Sequence, residues 1–260
     1  MFSKGFKVVH FKIHSNISSR ITDKLFNVSQ TIIRQRPSLV AVSINSDGGS
    51  ITQAKNIVSI LKDISYKTSA PIYTFGEDRV FGAANIVLVG ANRCFSSKHS
   101  MIGQFGFSQI ITETSEFNKE YGIATTYCSE ATKGKKLDSN TPFTEEDKKW
   151  INNVLSDREE ELKKELIKLR AEKFHEKNLS NEQLNSSLFQ KDIVFGQEAQ
   201  NLGFIDGVAT FEQIVNTEFP DAKVKLVVNR RLFGYGDSAY VPGIFDYFSP
   251  LALQVMNMKV

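Results

Sequence analysis

The chain has 260 residues, a formal charge of +3, 41% hydrophobic and 23% charged residues, enough to bury an ordinary core as one large domain or two small ones. Its Lys and Arg are mixed with Asp and Glu along the whole length, which argues against a phosphate-tracking surface and a nucleic-acid partner. No window holds the roughly 18 apolar residues of a membrane span, and Cys94 and Cys128 lack CxxC spacing or paired histidines, so no disulfide framework and no metal or cofactor site is expected.

Taken in order, the first residues carry Lys4, Lys7, Lys12 and Arg20 with several serines before the first acid, Asp23. That composition suits either a basic first strand or an organelle import segment. The second option points to a mitochondrion, the first leaves the cytoplasm. In "FKVVHFKIH", Val9, Phe11 and Ile13 alternate with His10, Lys12 and His14, which predicts a half-buried strand with the histidines toward solvent. Ile21, Leu25, Val28 and Ile32 then give a helical stripe over about 17–35, stopped by Pro37. "SLVAVSIN" is a continuous apolar run of the kind buried in a parallel sheet.

A glycine turn, "SDGGS", leads to a helix marked by Ile51, Ala54, Ile57, Ile60 and Leu61. The strand "APIYTFG" and a further helix through "AANIVLVGAN" complete a β-α-β-α succession, the pattern of a parallel sheet with crossover helices. "NRCFSS" and "SMIGQFGF" read as short strands, and "KEYGIATTYCSE" as one more. After the polar loop "ATKGKKLDSNTPF" comes a long helix, about Thr144 to His175. Its stripe is Trp150, Val154, Leu162, Leu166 and Leu169, so the run "DREEELKKELIKLR" is a solvated face. Short elements fill 181–215. The expected division is one domain over 1–215 and an extension over 216–260. The last part of that extension is aromatic and nearly free of charge after Asp246, and either folds back or docks on a partner.

The glycine turn has chemical meaning: Gly48 and Gly49, between a parallel strand and a helix, can present backbone N–H groups where negative charge is favoured. Alone it is a common way to make a bend. Together, however, "LVAVSINSDGGSITQAKNIVSILK", "APIYTFGED", "GANRCFSSKHSMIGQFGF", "GKKLDSNTPF" and "FGQEAQNLGFIDGV" resemble, in order and over about 38–215, the SppA-type serine peptidases of the ClpP/crotonase superfamily.

The resemblance implies a spiral of β-α-β units and a peptidase with a Ser nucleophile, a Lys base and oxyanion donors from the Gly-Gly turn. A hydroxyl needs such a base because it is a poor nucleophile at neutral pH. Laid on this chain, the family's "A-A-S-G-G-Y" puts Gly82 at the nucleophile, and a slip of one residue gives Phe81 or Ala83. The base falls on Leu137, with Lys136 one residue earlier as the substitute if the loop re-registers. Gln104 replaces the Ser of "T-G-S-I-G", and Asp47 replaces the Pro of "S-P-G-G", a carboxylate that would oppose an oxyanion if it pointed inward. Ser46, Ser50, Ser96, Ser97 and Ser100 lie near the right turns, Ser50 in the position of a helix cap.

The expectation is therefore a non-catalytic member of that family, a structural or assembly subunit with protein partners in a homo- or hetero-oligomer, with peripheral membrane association left open. Its rivals are an active peptidase with a relocated serine and Lys136, and an acyl-CoA enzyme of the crotonase branch.

Overall fold

The computed structural model describes residues 7–108, 110–124, 139–140 and 142–227. Eight strands form one sheet: β1 (Lys7–Ile13), β2 (Leu39–Ser46), β3 (Ile72–Phe81), β4 (Arg93–Ser96), β5 (Met101–Gly103), β6 (Ile193–Phe195), β7 (Gly207–Val208) and β8 (Lys223–Leu226). The spatial order is β6-β5-β3-β2-β1-β8, with β4 pairing β3 and β7. Every pairing is parallel except β5 with β6. The helices are α1 (Ser19–Gln35), α2 (Ile51–Thr68), α3 (Ala84–Val89), α4 (Ser115–Glu120), α5 (Glu145–Glu176), α6 (Asn181–Leu184), α7 (Gly196–Asn201) and α8 (Phe211–Glu218), with a π-helical turn at Asn185–Phe189. This is the α/β architecture expected, a parallel sheet built from β-α-β units with a long helix in the second half. None of the described helices is long and apolar enough to cross a membrane.

The two faces of the sheet carry different cores. Val9, Phe11 and Ile13 of β1 and Val40, Val42 and Ile44 of β2 pack with Leu25 of α1, Ile57 of α2, Val87 of α3 and Leu166 of α5. The opposite face, with Val8, Leu39, Ala41, Phe75 and Phe95, is closed by Val215, Phe211 and Ile214 of α8. Because both faces are covered, β2 is buried along almost its whole length, as its unbroken apolar run requires.

That second cover changes the reading of β1. His10, expected to face solvent, is buried. Its ring stacks on Phe211 with centroids 3.9 Å apart, and Nε2 lies 2.8 Å from Ser43 Oγ. Strand periodicity reports which side a residue is on and not whether a distant helix covers that side. His14, by contrast, is partly exposed and pairs with Glu77 at 2.8 Å.

Other elements depart from expectation for similar reasons. Strand β3 runs ten residues, through the charged Glu77-Asp78-Arg79, because it finds a second partner, β5, beyond the end of β4. The following helix is only six residues, ending at Gly90, where a Cβ would come within 2.7 Å of Val58 Cγ2. Lys119 and Glu120 end a short helix rather than start a strand, and residues 125–130 of that expected strand lie outside the described residues. β8 comes from beyond residue 215 and joins the sheet beside β1.

Thr144 caps α5 reciprocally: its Oγ1 accepts from Asp147 N at 3.1 Å while the Asp147 carboxylate accepts from Thr144 N at 3.2 Å. Leu162 and Leu166 are buried as expected, but Trp150 is 42% exposed, and the buried stripe continues instead through Arg170 and Phe174. The Arg170 guanidinium donates to Gly203 O at 2.8 Å and to Asp206 at 3.0 Å, while Asp206 also accepts from Cys94 N at 2.8 Å. Burial works against the Asp206 charge, yet the hydrogen bonds from Arg170 and Cys94 N hold its carboxyl below the usual range. Burial pushes the Cys94 thiol up to about 12, which makes it an inert core group.

Two outcomes follow for stability. Arg170→Ala leaves the Asp206 charge half-buried without its partner and should cost about 3 kcal/mol in urea unfolding at pH 7; a loss under about 1 kcal/mol would show that the pair is no tie. Burial, helped by Lys12, lowers the His10 imidazole to about 4 from its ordinary 6.5. Between those values the unfolded chain binds a proton that the native state excludes, so stability falls as pH drops from about 6.5 to about 4, by at most about 3 kcal/mol. His10→Leu should flatten that acid slope, and an unchanged slope would exclude His10 as its source.

Candidate functional site

Of the residues singled out in sequence, Asp47, Gly48, Gly49, Gly82 and Gln104 lie at the C-terminal ends of β2, β3 and β5. Where β2 ends, Gly48 and Gly49 adopt φ of 107° and 131°, open to glycine at little cost. A side chain has no room there. A Cβ on Gly49 would stand 2.3 Å from Ile17 O, and one on Gly48 3.1 Å from Phe81 O. The turn is stitched to the loop before α1, Ile17 N donating to Gly48 O at 2.6 Å and Ser50 N to Ile17 O at 2.9 Å.

Facing it, Gly82 makes the corner between β3 and α3 with φ of 50°. Its N–H donates to both Gly103 O and Gln104 O at 3.1 Å, and its carbonyl accepts from Asn85 N at 3.1 Å. A Cβ here would find nothing nearer than 3.7 Å, the closest atoms being Gln104 O and Gly48 Cα. Room for a Cβ therefore exists at the corner, but Gly82 supplies none.

Asn85 holds this corner together, and the sequence reading passed over it. Fully buried, its Nδ2 donates to Gly82 O at 3.0 Å and Gly103 O at 3.1 Å. Its Oδ1 has no partner among the described residues. The only hint in sequence was a lone amide inside the apolar run "AANIVLV", where burial without a function for its hydrogen bonds would be costly. Gln104, also left-handed with φ of 46°, donates its N–H to Asp192 O at 2.7 Å while its side chain is exposed.

The polar neighbours are committed elsewhere. Gly48 N donates to Ser46 Oγ at 3.2 Å, so one of the two expected oxyanion donors is met inside the turn. Asp47 does not point inward: it pairs at 2.7 Å with Arg79 and its side chain is 53% exposed. Ser50 accepts from Gln53 N at 3.3 Å as the cap of α2. Ser97 and Ser100 share a 2.9 Å contact, and Ser100 donates to Gly76 O at 2.9 Å, while Ser96 donates to Ser97 O at 3.2 Å. Lys136 and Leu137 lie outside the described residues. Among the described residues no three His, Cys, Asp or Glu side chains are grouped to hold a metal ion.

No protein-family model matches the chain. A protein of Methanocaldococcus jannaschii provisionally named a protease is 26% identical over 208 residues, covering 75% of this chain and 62% of that protein. The Na(+)/H(+) antiporter NhaA of Brucella abortus is 24% identical over 193 residues, 74% of this chain and 25% of the antiporter. The chain thus spans less than two thirds of the length of the curated relatives it matches. Among solved structures, two of the 1510-N membrane-bound stomatin-specific protease, one a Ser-to-Ala mutant and one a Lys-to-Ala mutant with a substrate peptide, align at a TM-score of 0.54 and 13% identity. They cover 87% of this chain and 99% and 94% of theirs. At that identity the likeness shows the fold, which is that of a peptidase.

The two glycine corners give opposite expectations for substitution. Gly82→Ser adds a Cβ that meets only ordinary contacts at 3.7 Å and should cost about 1–2 kcal/mol, the price of a left-handed non-glycine residue. Gly49→Ala drives a methyl into a carbonyl and should cost more than about 3 kcal/mol or prevent folding. Urea unfolding of both variants checks this, and equal stabilities would mean that the Gly49 turn relaxes freely.

Proposed function

We propose that this chain is a catalytically silent relative of the SppA-type serine peptidases that works by binding, as a structural or assembly subunit of a larger complex. The observation that carries it is Gly82. In the register implied by the resemblance this corner holds the nucleophile, and here it has room for a Cβ and carries no side chain.

The surrounding serines support the same reading. Ser46, Ser50, Ser96, Ser97 and Ser100 each have their hydroxyl engaged with backbone or with one another, and none has a described lysine or histidine partner. A hydroxyl without a base reacts at the rate of an unactivated alcohol, and nucleophile and base act as a unit, so losing one forfeits most of the rate. The Gly48 N–H, engaged by Ser46, is one oxyanion donor fewer.

A scaffold role follows from what persists. The sheet, the glycine corners and the long helix keep the geometry of the peptidase fold, while the aromatic, charge-poor sequence after Asp246 suits a surface turned to protein partners. A mitochondrial complex fits the acid-poor, Ser-containing start of the chain.

A fluorophosphonate probe should leave the purified full chain unlabelled, and native mass measurement of the endogenous protein should find it in a stoichiometric complex with other chains. Labelling of any serine at one equivalent, or turnover of a peptide abolished by Lys136→Ala, would overturn the reading.

A further inference from the structure

The sheet ends at β8, and among the described residues no strand lies along its outer side. On its inner side Lys223 to Leu226 pair with Lys7 to His10, and the ladder runs on to Val227, whose N–H donates to His10 O at 2.8 Å. In a parallel pair the N–H and C=O of one residue face the same neighbour and alternate along the strand, so Lys223, Lys225 and Val227 turn their main chain to β1. Val224 and Leu226 turn theirs outward. Main-chain groups set out in this way are a template for one more strand.

The side chains on this edge sort by face. Residues in register across a parallel pair share a side: Val224 lies beside Val8 and Leu226 beside His10, on the side that α8 covers, while Lys223 lies beside Lys7 and Lys225 beside Val9, on the side that α1 covers. All four residues of β8 are exposed. Lys7 is exposed too, and none of these three lysines has an ion pair among the described residues. Ser38 N donates to Lys7 O at 2.8 Å, which brings the exposed Arg36 to the same rim. Asp221, exposed ahead of the strand, is the nearest acid in sequence, and Glu218 is held by Arg93 at 2.7 Å.

Lysines on an edge strand keep like edges apart. A second copy docking through its own β8 would set lysine against lysine, which is repulsive, and the same charges favour a strand of opposite sign. The chain's own continuation supplies no such strand: residues 228–260 hold Arg230, Arg231 and Lys259 against Asp237 and Asp246, with no two acids at the i, i+2 spacing that would meet Lys223 and Lys225. A phosphate group answers the charge but brings no main chain for Val224 and Leu226 to pair with.

We propose that β8 is a docking edge for an extended acidic segment of a partner protein, one whose residues alternate acid and apolar. Its main chain extends the sheet through Val224 and Leu226, its acids lie beside Lys223 and Lys225, and its apolar side chains continue the row of Val224 and Leu226. The edge shares no residue with the glycine corner. Reactivity at that corner would therefore leave this inference standing.

Binding to the full chain is measured by fluorescence anisotropy with a labelled peptide Ser-Val-Glu-Val-Glu-Val-Ser, its counterparts with glutamine or lysine in place of both glutamates, and an isomer with the glutamates adjacent. The glutamate peptide should bind about five-fold more tightly than the glutamine peptide and the isomer, lose affinity as salt rises, and slow amide exchange at Val224 and Leu226. Val224→Pro removes an outward N–H that β1 does not use, and should abolish binding while the urea midpoint holds. Lys223→Glu with Lys225→Glu should transfer the preference to the lysine peptide, while Lys164→Gln on α5 should change nothing. Equal binding of the glutamine peptide or the isomer, no peptide binding, exchange at Val224 and Leu226 already slow in the unbound chain, or tighter binding to phosphatidylserine vesicles would each overturn the proposal. The peptide comparison stands even where a variant fails to fold.

Discussion

Strand β3 has two edges and serves three neighbours, and the rest of the architecture is arranged around that constraint. One edge lies along β2. The other is shared in sequence, Tyr73–Gly76 against β4 and Arg79–Phe81 against β5. Changing partner partway requires the strand to continue past its apolar stretch, and the register with β2 shifts between Ile44 and Ser46 as it does so. The far end of β3 is thereby carried up to Gly82, opposite the turn that closes β2. Everything at the corner inherits its position from this, including the forked hydrogen bond of Gly82 N–H to Gly103 O and Gln104 O and the hold of Asn85 on Gly82 O and Gly103 O.

The approach of Gly48 to Phe81 and Gly82 is backbone against backbone, which is why the turn carries glycine. Their role in packing is separable from any role in chemistry. The shape of the corner can therefore be kept by the close approach at Gly48 and Gly49 alone, whatever side chains stand around it. Gly82 differs from them: a Cβ there would meet only ordinary contacts at 3.7 Å, so its glycine answers to the left-handed backbone at the corner rather than to crowding.

How much of this was legible beforehand depended on the range of the cause. Strands β1 and β2 and helices α1 and α2 follow from local periodicity, capping at Ser50 and the stop at Pro37, and the long helix from Thr144 onward. The glycine turn was likewise visible as a site of close approach. What escaped were features decided by distant chain. His10 is buried by Phe211, two hundred residues on. Strand β3 is lengthened by β5, and Arg170 enters the core because Gly203 and Asp206 wait there to receive its donors. The outward turn of Asp47 depends on Arg79, which the sequence offers no means to place.

The edge of the sheet carries a consequence for biosynthesis. Strand β1, made some two hundred residues earlier, finds its outer partner in Lys223–Leu226, and the apolar face shared by Val8, Leu39, Ala41 and Phe75 finds its cover in α8. While the ribosome is still adding the middle of the chain, that face has nothing to lie against. A nascent chain of this kind offers a bare, strand-forming surface until residues 211–226 are made, the condition that exposes slow parallel sheets to misassociation. Its safe completion depends on how quickly α8 follows, or on a chaperone that shields the sheet until it does.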